Sequence, residues 1–240
     1  MMSQAFILAA GVGSRLKGLK EGLPKCLLSF KGQTFLERHL EALIQRKINP
    51  ITIVVGYAKE KVMGWVKSQF PKASIQFIFN PLFESTNNSY SLYLALKENP
   101  QDFFLCDGDL LCDPTFWDDL AASHFSAAMM VENNLEKVDE EAMKVKCVDQ
   151  KMIALGKNIP MNEAAGEFIG LSRFDQDWAM AYVKIYEEGG VGANDHLPLQ
   201  GYYYEDVFSL LLRTELTIGM VSTQGKWWRE IDTVEDYENL

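Results

Sequence analysis

The sequence predicts an α/β fold, a three-layer α/β/α arrangement around a mostly parallel, mixed central sheet. Three observations predict it. Short apolar runs at residues 4–9, 51–55, 74–79 and 103–106 alternate with longer segments of helical periodicity, which is the rhythm of strand–helix–strand units joined by right-handed crossovers. The first run is short, apolar and ended by glycine, as expected of a strand buried on both faces. The fourth run ends on Asp107-Gly108-Asp109, and sheets of this kind place ligands at the carboxyl ends of their strands.

The elements follow in order. Residues 4–9 read as the first strand, followed by a glycine-rich loop. Thr34 with Glu37 three residues later is a capping-box signature, opening an amphipathic helix to about residue 47. Residues 51–55 read as the second strand, 59–70 as a helix and 74–79 as the third strand. Residues 88–97 are helical, with Tyr90, Leu92, Tyr93, Leu94 and Leu96 supplying apolar surface. Residues 103–106 form the fourth strand. After about Ala127 shorter strands dominate, at 127–132, 143–148, 151–155 and 168–174. Helices at 176–187 and 204–212 follow, then a strand at 216–221, the segment 227–232 and a terminal helix. Residues 187–192 read as the most mobile loop. No linker, repeat or low-complexity segment divides the chain, so residues 1–240 read as one Rossmann-like domain with two halves, 1–126 and 127–240.

Composition narrows the class. The chain has 240 residues and is 48% hydrophobic, which supports a sizeable core and argues against disorder. No apolar run approaches the length of a membrane span, and the run at residues 6–10 lacks the preceding basic segment of a signal peptide. Cys26, Cys106, Cys112 and Cys147 are scattered without metal-ligand spacing, which fits a reduced, cytoplasmic protein. The net charge of −10 argues against nucleic-acid binding. Its distribution is uneven: residues 1–31 hold Arg15, Lys17, Lys20, Lys25 and Lys31 against Glu21 alone, a net of +4 on a body of −14. One basic loop on an acidic body is the pattern expected if that loop receives an anion.

That loop reads Leu8-Ala9-Ala10-Gly11-Val12-Gly13-Ser14-Arg15-Leu16. Glycines after a buried strand let backbone N–H groups face phosphate oxygens without side-chain obstruction, and Arg15 and Lys25 can add charge-assisted hydrogen bonds. It is not a P-loop, because no Gly-Lys-Ser/Thr closes it. It is a poor dinucleotide fingerprint, because Leu16 stands where the third glycine belongs and the second strand ends in Gly56-Tyr57 rather than an acid. A glycine-rich turn without a ligand is the plain alternative.

This stretch, with Pro24-Lys25, resembles the signature of the nucleotidyltransferase superfamily of nucleotide-diphospho-sugar transferase fold, which includes the sugar-phosphate nucleotidyltransferases and the phosphocholine cytidylyltransferases of bacterial surface-polymer pathways. The resemblance runs along most of the chain and is strongest at residues 5–30 and 80–113. It implies that the loop wraps a triphosphate and that Arg15 and Lys25 contact its phosphates, making residues 1–126 the nucleotide half and 127–240 the acceptor half.

Asp107-Gly108-Asp109 can hold Mg²⁺ together with substrate phosphates, the alternative being a solvated acidic turn. The resemblance makes Asp109 one metal ligand and Asp232, within Glu230-Ile231-Asp232-Thr233, a second; Asp232 could otherwise cap the final helix. Asn80-Pro81 and residues 86–92 read locally as a turn and helix cap. Asn88-Ser89-Tyr90-Ser91-Leu92 resembles the cytidylyltransferase branch, which places Asn88 and Ser89 beside the base and favours CTP.

In the second half Glu167, Tyr203, Glu205, Asp206, Trp228 and Glu230 interleave rings with carboxylates, which suits a cationic ligand; in the plain alternative the rings are core and the acids face solvent. Lys146 and Lys157 are candidate contacts to an acceptor phosphate. His39, His124 and His196 show no metal spacing, and no Ser-His-Asp or Cys-His nucleophile is apparent, so direct transfer is expected. The expected reaction moves CMP from CTP to a small phosphorylated acceptor, phosphocholine or a related amino-alcohol phosphate or phosphonate. Sugar-1-phosphate or inositol-phosphate transfer is the alternative. A glycosyltransferase built on Asp107-x-Asp109, or a non-catalytic regulatory module of this fold, stands further off, because Arg15, Lys25, Asp109 and Asp232 occur together.

Overall fold

Strand β1 (Gln4–Ala9) is buried along its whole length. Its side chains divide by parity: Phe6 and Leu8 join the core on one face of the sheet, while Ala5, Ile7 and Ala9 join the core on the other. This is the period-2 consequence of a strand covered on both sides. The computed structural model describes residues 4–16, 22–190 and 198–240.

A short hairpin, β2 (Ser29–Phe30) with β3 (Gln33–Thr34), leads into α1 (Phe35–Gln45). The expected capping box is formed: Glu37 N donates to Thr34 Oγ1, and Thr34 N donates to the Glu37 carboxylate. There follow β4 (Ile51–Val55), α2 (Lys59–Gln69), β5 (Ile75–Phe79), α3 (Asn88–Leu96), β6 (Phe103–Asp107), β7 (Leu110–Cys112), α4 (Phe116–Ala122) and β8 (Ala128–Glu132). The remainder comprises β9 (Lys144–Val148), β10 (Lys151–Gly156), β11 (Gly166–Phe174), α5 (Gln176–Glu188), α6 (Tyr204–Leu211), β12 (Gly219–Ser222), β13 (Trp228–Glu230) and α7 (Val234–Glu238).

Among the described residues, nine strands form one mixed sheet in the order β5-β4-β1-β6-β11-β8-β12-β10-β9. Strands β5, β4, β1 and β6 are parallel, as are β8 and β12. The nine-residue β11 lies antiparallel between β6 and β8 and stitches the second half of the chain to the first. One core fills the space between the sheet and α3, α5 and α6, with Leu92, Trp178, Tyr182 and Phe208 fully buried. The other packs α1, α2 and α4 through Leu40, Val66 and Trp117. The architecture is therefore the expected three-layer α/β/α. The chain runs from β1 outward to β4 and β5, then returns to place β6 on the other flank of β1. A crevice opens at the carboxyl ends where the order reverses, the place where such sheets bind ligands.

The structure departs from the expected elements in a few places. Strands β2, β3 and β7 have two or three residues, too few to show a period. In α4 the apolar Phe116, Trp117 and Leu120 are interrupted by Asp118 and Asp119, which hides its face. Strand β12 begins at Gly219 rather than residue 216: the Thr217 carbonyl accepts from the Trp178 indole at 3.3 Å, and Leu216 N donates to Thr214 Oγ1, so neither group enters the ladder. Residues 187–188 of the expected mobile loop continue α5, which Gly189 caps in the left-handed region at φ +76°; residues 191–192 lie outside the described residues. Among those described, no helix is long and apolar enough to cross a membrane.

Candidate active site

The carboxyl edge of β1 and β6 opens into a cavity of about 660 Å³ lined from both halves of the chain. At its floor the loop after β1 turns on Gly13, whose φ of +61° lies in the left-handed region, and Leu16 N donates to Gly13 O to close a short helical turn over Ser14–Leu16. Leu8, Ala9, Ala10, Gly11, Gly13, Ser14 and Arg15 all face the cavity. Lys17, Lys20 and Glu21 of the basic segment lie outside the described residues.

Pro24 presets the turn Lys25–Leu27, and Cys26 and Leu27 anchor it in the core. Lys25 is thereby directed at two carboxylates, with Nζ 2.5 Å from Asp109 Oδ2 and 2.7 Å from Asp232 Oδ1. Burial works to lower the Lys25 pKa, but Asp109 and Asp232 outweigh it and hold the amine above its ordinary value. The same contacts act on Asp232: burial favours its neutral form, and Lys25 and then Arg15 overcome this and hold it below the usual carboxylate range. Arg15 lies 3.2 Å from Asp232 Oδ2 with most of its side chain exposed, leaving its guanidinium accessible to a ligand.

Asp109 and Asp232 stand 123 positions apart in the chain, and a two-stranded ribbon brings them together. Strands β7 and β13 pair antiparallel, with Glu230 opposite Leu110, and Ile231 N donates to Asp109 O at 3.3 Å. Glu230 arrives with them. Oxygens of Asp109, Glu230 and Asp232 lie within 4.8 Å of one another. Glu230 is exposed to the cavity, and crowding by surrounding protein atoms, then the charges of Asp109 and Asp232, raises its pKa. Three crowded carboxylates need positive charge between them, and an all-oxygen donor set of this spacing suits a hard cation such as Mg²⁺. Glu230, expected on the acceptor side, thus stands with the two aspartates. Its spacing two positions before Asp232 was the available signal, and the β7–β13 pairing brings both to Asp109.

Asp107 is half-buried, and desolvation raises its pKa well above the usual range, as do the nearby Glu205 and Asp109 charges; a 2.6 Å hydrogen bond donated by Tyr204 Oη opposes them. Gly170 of β11 lets Asp107 sit there. Its φ is +85°, and a Cβ at this position would stand 2.7 Å from Asp107 Oδ2. Gly170→Ala is expected to destabilise the protein by about 1–3 kcal/mol from backbone strain and also to weaken nucleotide binding by displacing Asp107. Urea melts and nucleotide titrations check this; an unchanged midpoint with unchanged affinity overturns it.

On one side of this centre Asn80, Phe83, Thr86, Asn87, Asn88 and Ser91 line the cavity. The buried Asn80 amide donates to Ser91 Oγ and Thr86 Oγ1, and its carbonyl accepts from Leu82 N, fixing the turn before α3. Asn88 Oδ1 accepts from Tyr204 N, joining α3 to α6. Asp139, Glu141, Met143, Lys157, Glu167, Phe168, Tyr203 and Glu205 complete the lining, the last two flanking the residue that Asn88 contacts. Burial, then the charges of Asp139 and Glu132, raise the Glu167 pKa to about 7. Lys157 Nζ lies 5.5 Å over the Tyr203 ring.

Four expected site residues lie off this lining. Val12 projects to solvent. Ser89 is fully buried and donates its hydroxyl to Leu199 O. Asp206 accepts from Tyr203 N and caps α6. Trp228 packs against the core and donates its indole N–H to Glu132 at 3.1 Å, so its ring belongs to the wall behind the cavity. Lys146 also lies off it, paired with Glu163 on the surface. Sequence reasoning missed Phe83, Asp139, Glu141 and Met143. The acid-rich segment at 136–141 was the available signal for two of them. His39 is buried and neutral, its pKa lowered to about 4 chiefly by burial, and Nε2 donates to Leu110 O at 2.7 Å. It therefore braces β7 from below, and His196 lies outside the described residues.

Comparison with known proteins identifies the family and the fold. The chain is 28% identical to a choline-phosphate cytidylyltransferase from Streptococcus pneumoniae, over 99% of this chain and 96% of that one. It is 27% identical to a CTP:phosphoglutamine cytidylyltransferase from Campylobacter jejuni, over 98% and 97%. The solved structure of a CTP:phosphocholine cytidylyltransferase from Streptococcus pneumoniae superposes with a TM-score of 0.78 at 26% identity, covering 100% of this chain and 97% of that chain, which places the architecture among nucleotide-diphospho-sugar transferase folds. The model of the MobA-like NTP transferase domain matches residues 5–150, from β1 through the Asp107–Asp109 turn to the end of β9, and the chain belongs to that nucleotidyltransferase family.

Proposed function

We propose that this protein transfers CMP from CTP to phosphocholine or a related amino-alcohol phosphate or phosphonate, with release of pyrophosphate. The observation that carries the reading is the division of one cavity into three zones. The glycine loop with Arg15 and Lys25 supplies N–H groups and positive charge. Asp109, Glu230 and Asp232 cluster beside it. Beyond them lies a wall of four further carboxylates (Asp139, Glu141, Glu167 and Glu205) with the single amine of Lys157. A triphosphate suits the first zone, Mg²⁺ the second, and a small molecule bearing a cation at one end and a phosphate at the other spans the rest. The named relatives that use CTP and phosphorylated acceptors support the choice of nucleotide.

The chemistry follows from the positions. An oxygen of the acceptor phosphate or phosphonate attacks the α-phosphorus of CTP in line, and the bond to the β-phosphate oxygen breaks. The attacking oxygen is already anionic, so no general base is required. Asp109 and Asp232, with Glu230 adjacent, would hold Mg²⁺, which when bound neutralises charge on the triphosphate. Lys25 stabilises the charge that builds at the α-phosphate, and Arg15 grips the departing pyrophosphate. The backbone of residues 9–14 aligns the phosphates before attack, so that positioning lowers the barrier without a covalent intermediate.

A pyrophosphate-release assay with four nucleoside triphosphates against phosphocholine, phosphoethanolamine, 2-aminoethylphosphonate, inositol 1-phosphate and glucose 1-phosphate tests this. The expected result is highest kcat/KM for CTP with an amine-bearing acceptor. Preference for a sugar or inositol phosphate would remove the amino-alcohol part of the reading, and preference for another triphosphate would remove CTP.

A further inference from the structure

Glu205 lies in the first turn of α6 and is only 7% exposed, yet it lines the cavity. Among the described residues its Oε2 has no hydrogen-bond partner. Buried carboxylate oxygens are ordinarily satisfied, and one left without a donor on the wall of a ligand cavity is satisfied by a ligand. Rotation about the last side-chain bond presents either oxygen. Burial raises the Glu205 carboxyl pKa to about 8, against the opposing pull of its own backbone N–H, the Tyr204 hydroxyl and the Lys157 charge, and among the described residues none of these satisfies Oε2. Tyr204 Oη is committed to Asp107, Tyr204 N donates to Asn88, and Lys157 lies over Tyr203. The other charged groups on this wall, Asp139, Glu141 and Glu167, are acceptors of the same sign. A donor that is also a cation suits this oxygen best, because it favours the charged carboxylate that burial disfavours.

A quaternary ammonium is a cation without a donor, and it is held best within several aromatic faces. This wall offers few. Tyr203 already carries Lys157, and the Trp228 ring lies behind the cavity, tied to Glu132. We propose that Glu205 accepts a hydrogen bond from an N–H of the acceptor's ammonium group, and that this protein selects amines bearing at least one N–H over trimethylammonium acceptors. The inference rests on the amino-alcohol reading above and narrows it.

A methylation series on the unaltered protein tests it: phosphoethanolamine, its N-methyl and N,N-dimethyl derivatives, and phosphocholine. All four carry the cation, and only the last lacks an N–H. The expected result is similar kcat/KM for the first three and a fall of at least tenfold at the fourth, borne by the acceptor KM. A smooth decline across the series would mean that size sets the preference, and equal or better use of phosphocholine would mean that charge alone does; either overturns the proposal. Glu205→Gln supplies the second measurement, keeping a carbonyl acceptor and removing the charge. The ratio of phosphoethanolamine to phosphocholine kcat/KM should fall at least fivefold in this variant, with the CTP KM as the control for an intact nucleotide zone. An unchanged ratio would exclude Glu205 as the selecting group. If glucose 1-phosphate surpasses all four amines, the amino-alcohol reading itself fails, an outcome distinct from a phosphocholine preference within the series.

Discussion

Asp109→Ala is expected to lower kcat by about 10³ at saturating Mg²⁺ and CTP, because a bound cation contributes several kcal/mol of charge stabilisation to such a transfer. The substitution removes one of three clustered carboxylates and one of the two that Lys25 contacts. It leaves the core intact, since Asp109 is only partly buried and its backbone carbonyl still accepts from Ile231 N. Asp232→Ala should behave alike. Its backbone N–H is held by the Asp236 carboxylate, which caps α7 independently of the Asp232 side chain. Turnover should be measured alongside Mn²⁺ titration calorimetry and near-ultraviolet circular dichroism. A variant with near-normal kcat and unweakened metal binding would exclude that residue as a ligand.

Lys25→Ala is expected to reduce kcat by about 10²–10³ while changing the CTP KM far less, the signature of an interaction used mainly in the transition state. A second effect follows from electrostatics. Lys25 is the buried cation between Asp109 and Asp232, and its loss leaves Asp109, Glu230 and Asp232 to repel one another. The melting temperature of the variant should therefore fall in metal-free buffer and recover with Mg²⁺ more steeply than that of the unaltered protein. A raised KM with unchanged kcat would reduce Lys25 to a binding group, and a melting temperature insensitive to metal would remove its structural part.

The phosphate loop was legible because its chemistry is local: a buried strand, glycines and a Lys after Pro sit within 22 residues of one another. The layer order and most elements were legible for the same reason, since period and caps are written in short windows. The site residues that went astray depend on distant pairings. Glu230 reads as part of an aromatic and acidic segment until β13 pairs with β7 and carries it to Asp109. Trp228, expected as a ring facing the acceptor's cation, is claimed by Glu132, 96 residues away. Ser89 lies on the inner side of α3, where a carbonyl from residue 199 takes its hydroxyl. Asp139 and Glu141 belong to a loop with no periodicity, and the pairing of β11 with both β8 and β9, the strands at its two ends, anchors it beside the cavity.

The ribbon of β7 and β13 also has a consequence for the order in which the protein becomes competent. A polypeptide leaves the ribosome amino end first. The glycine loop, Lys25 and Asp109 emerge long before residues 228–232, and β12, the last strand of the main sheet, also precedes them. A nascent chain paused after β12 therefore owns a nucleotide cradle and nearly all of its core, but neither Glu230 nor Asp232. Assembly of the proposed metal site therefore waits for residues 228–232 to emerge and pair with β7. The same logic applies in reverse to degradation: a cut in the connection between β12 and β13 is expected to loosen the ribbon that carries Glu230 and Asp232 while the nine-stranded sheet stays paired.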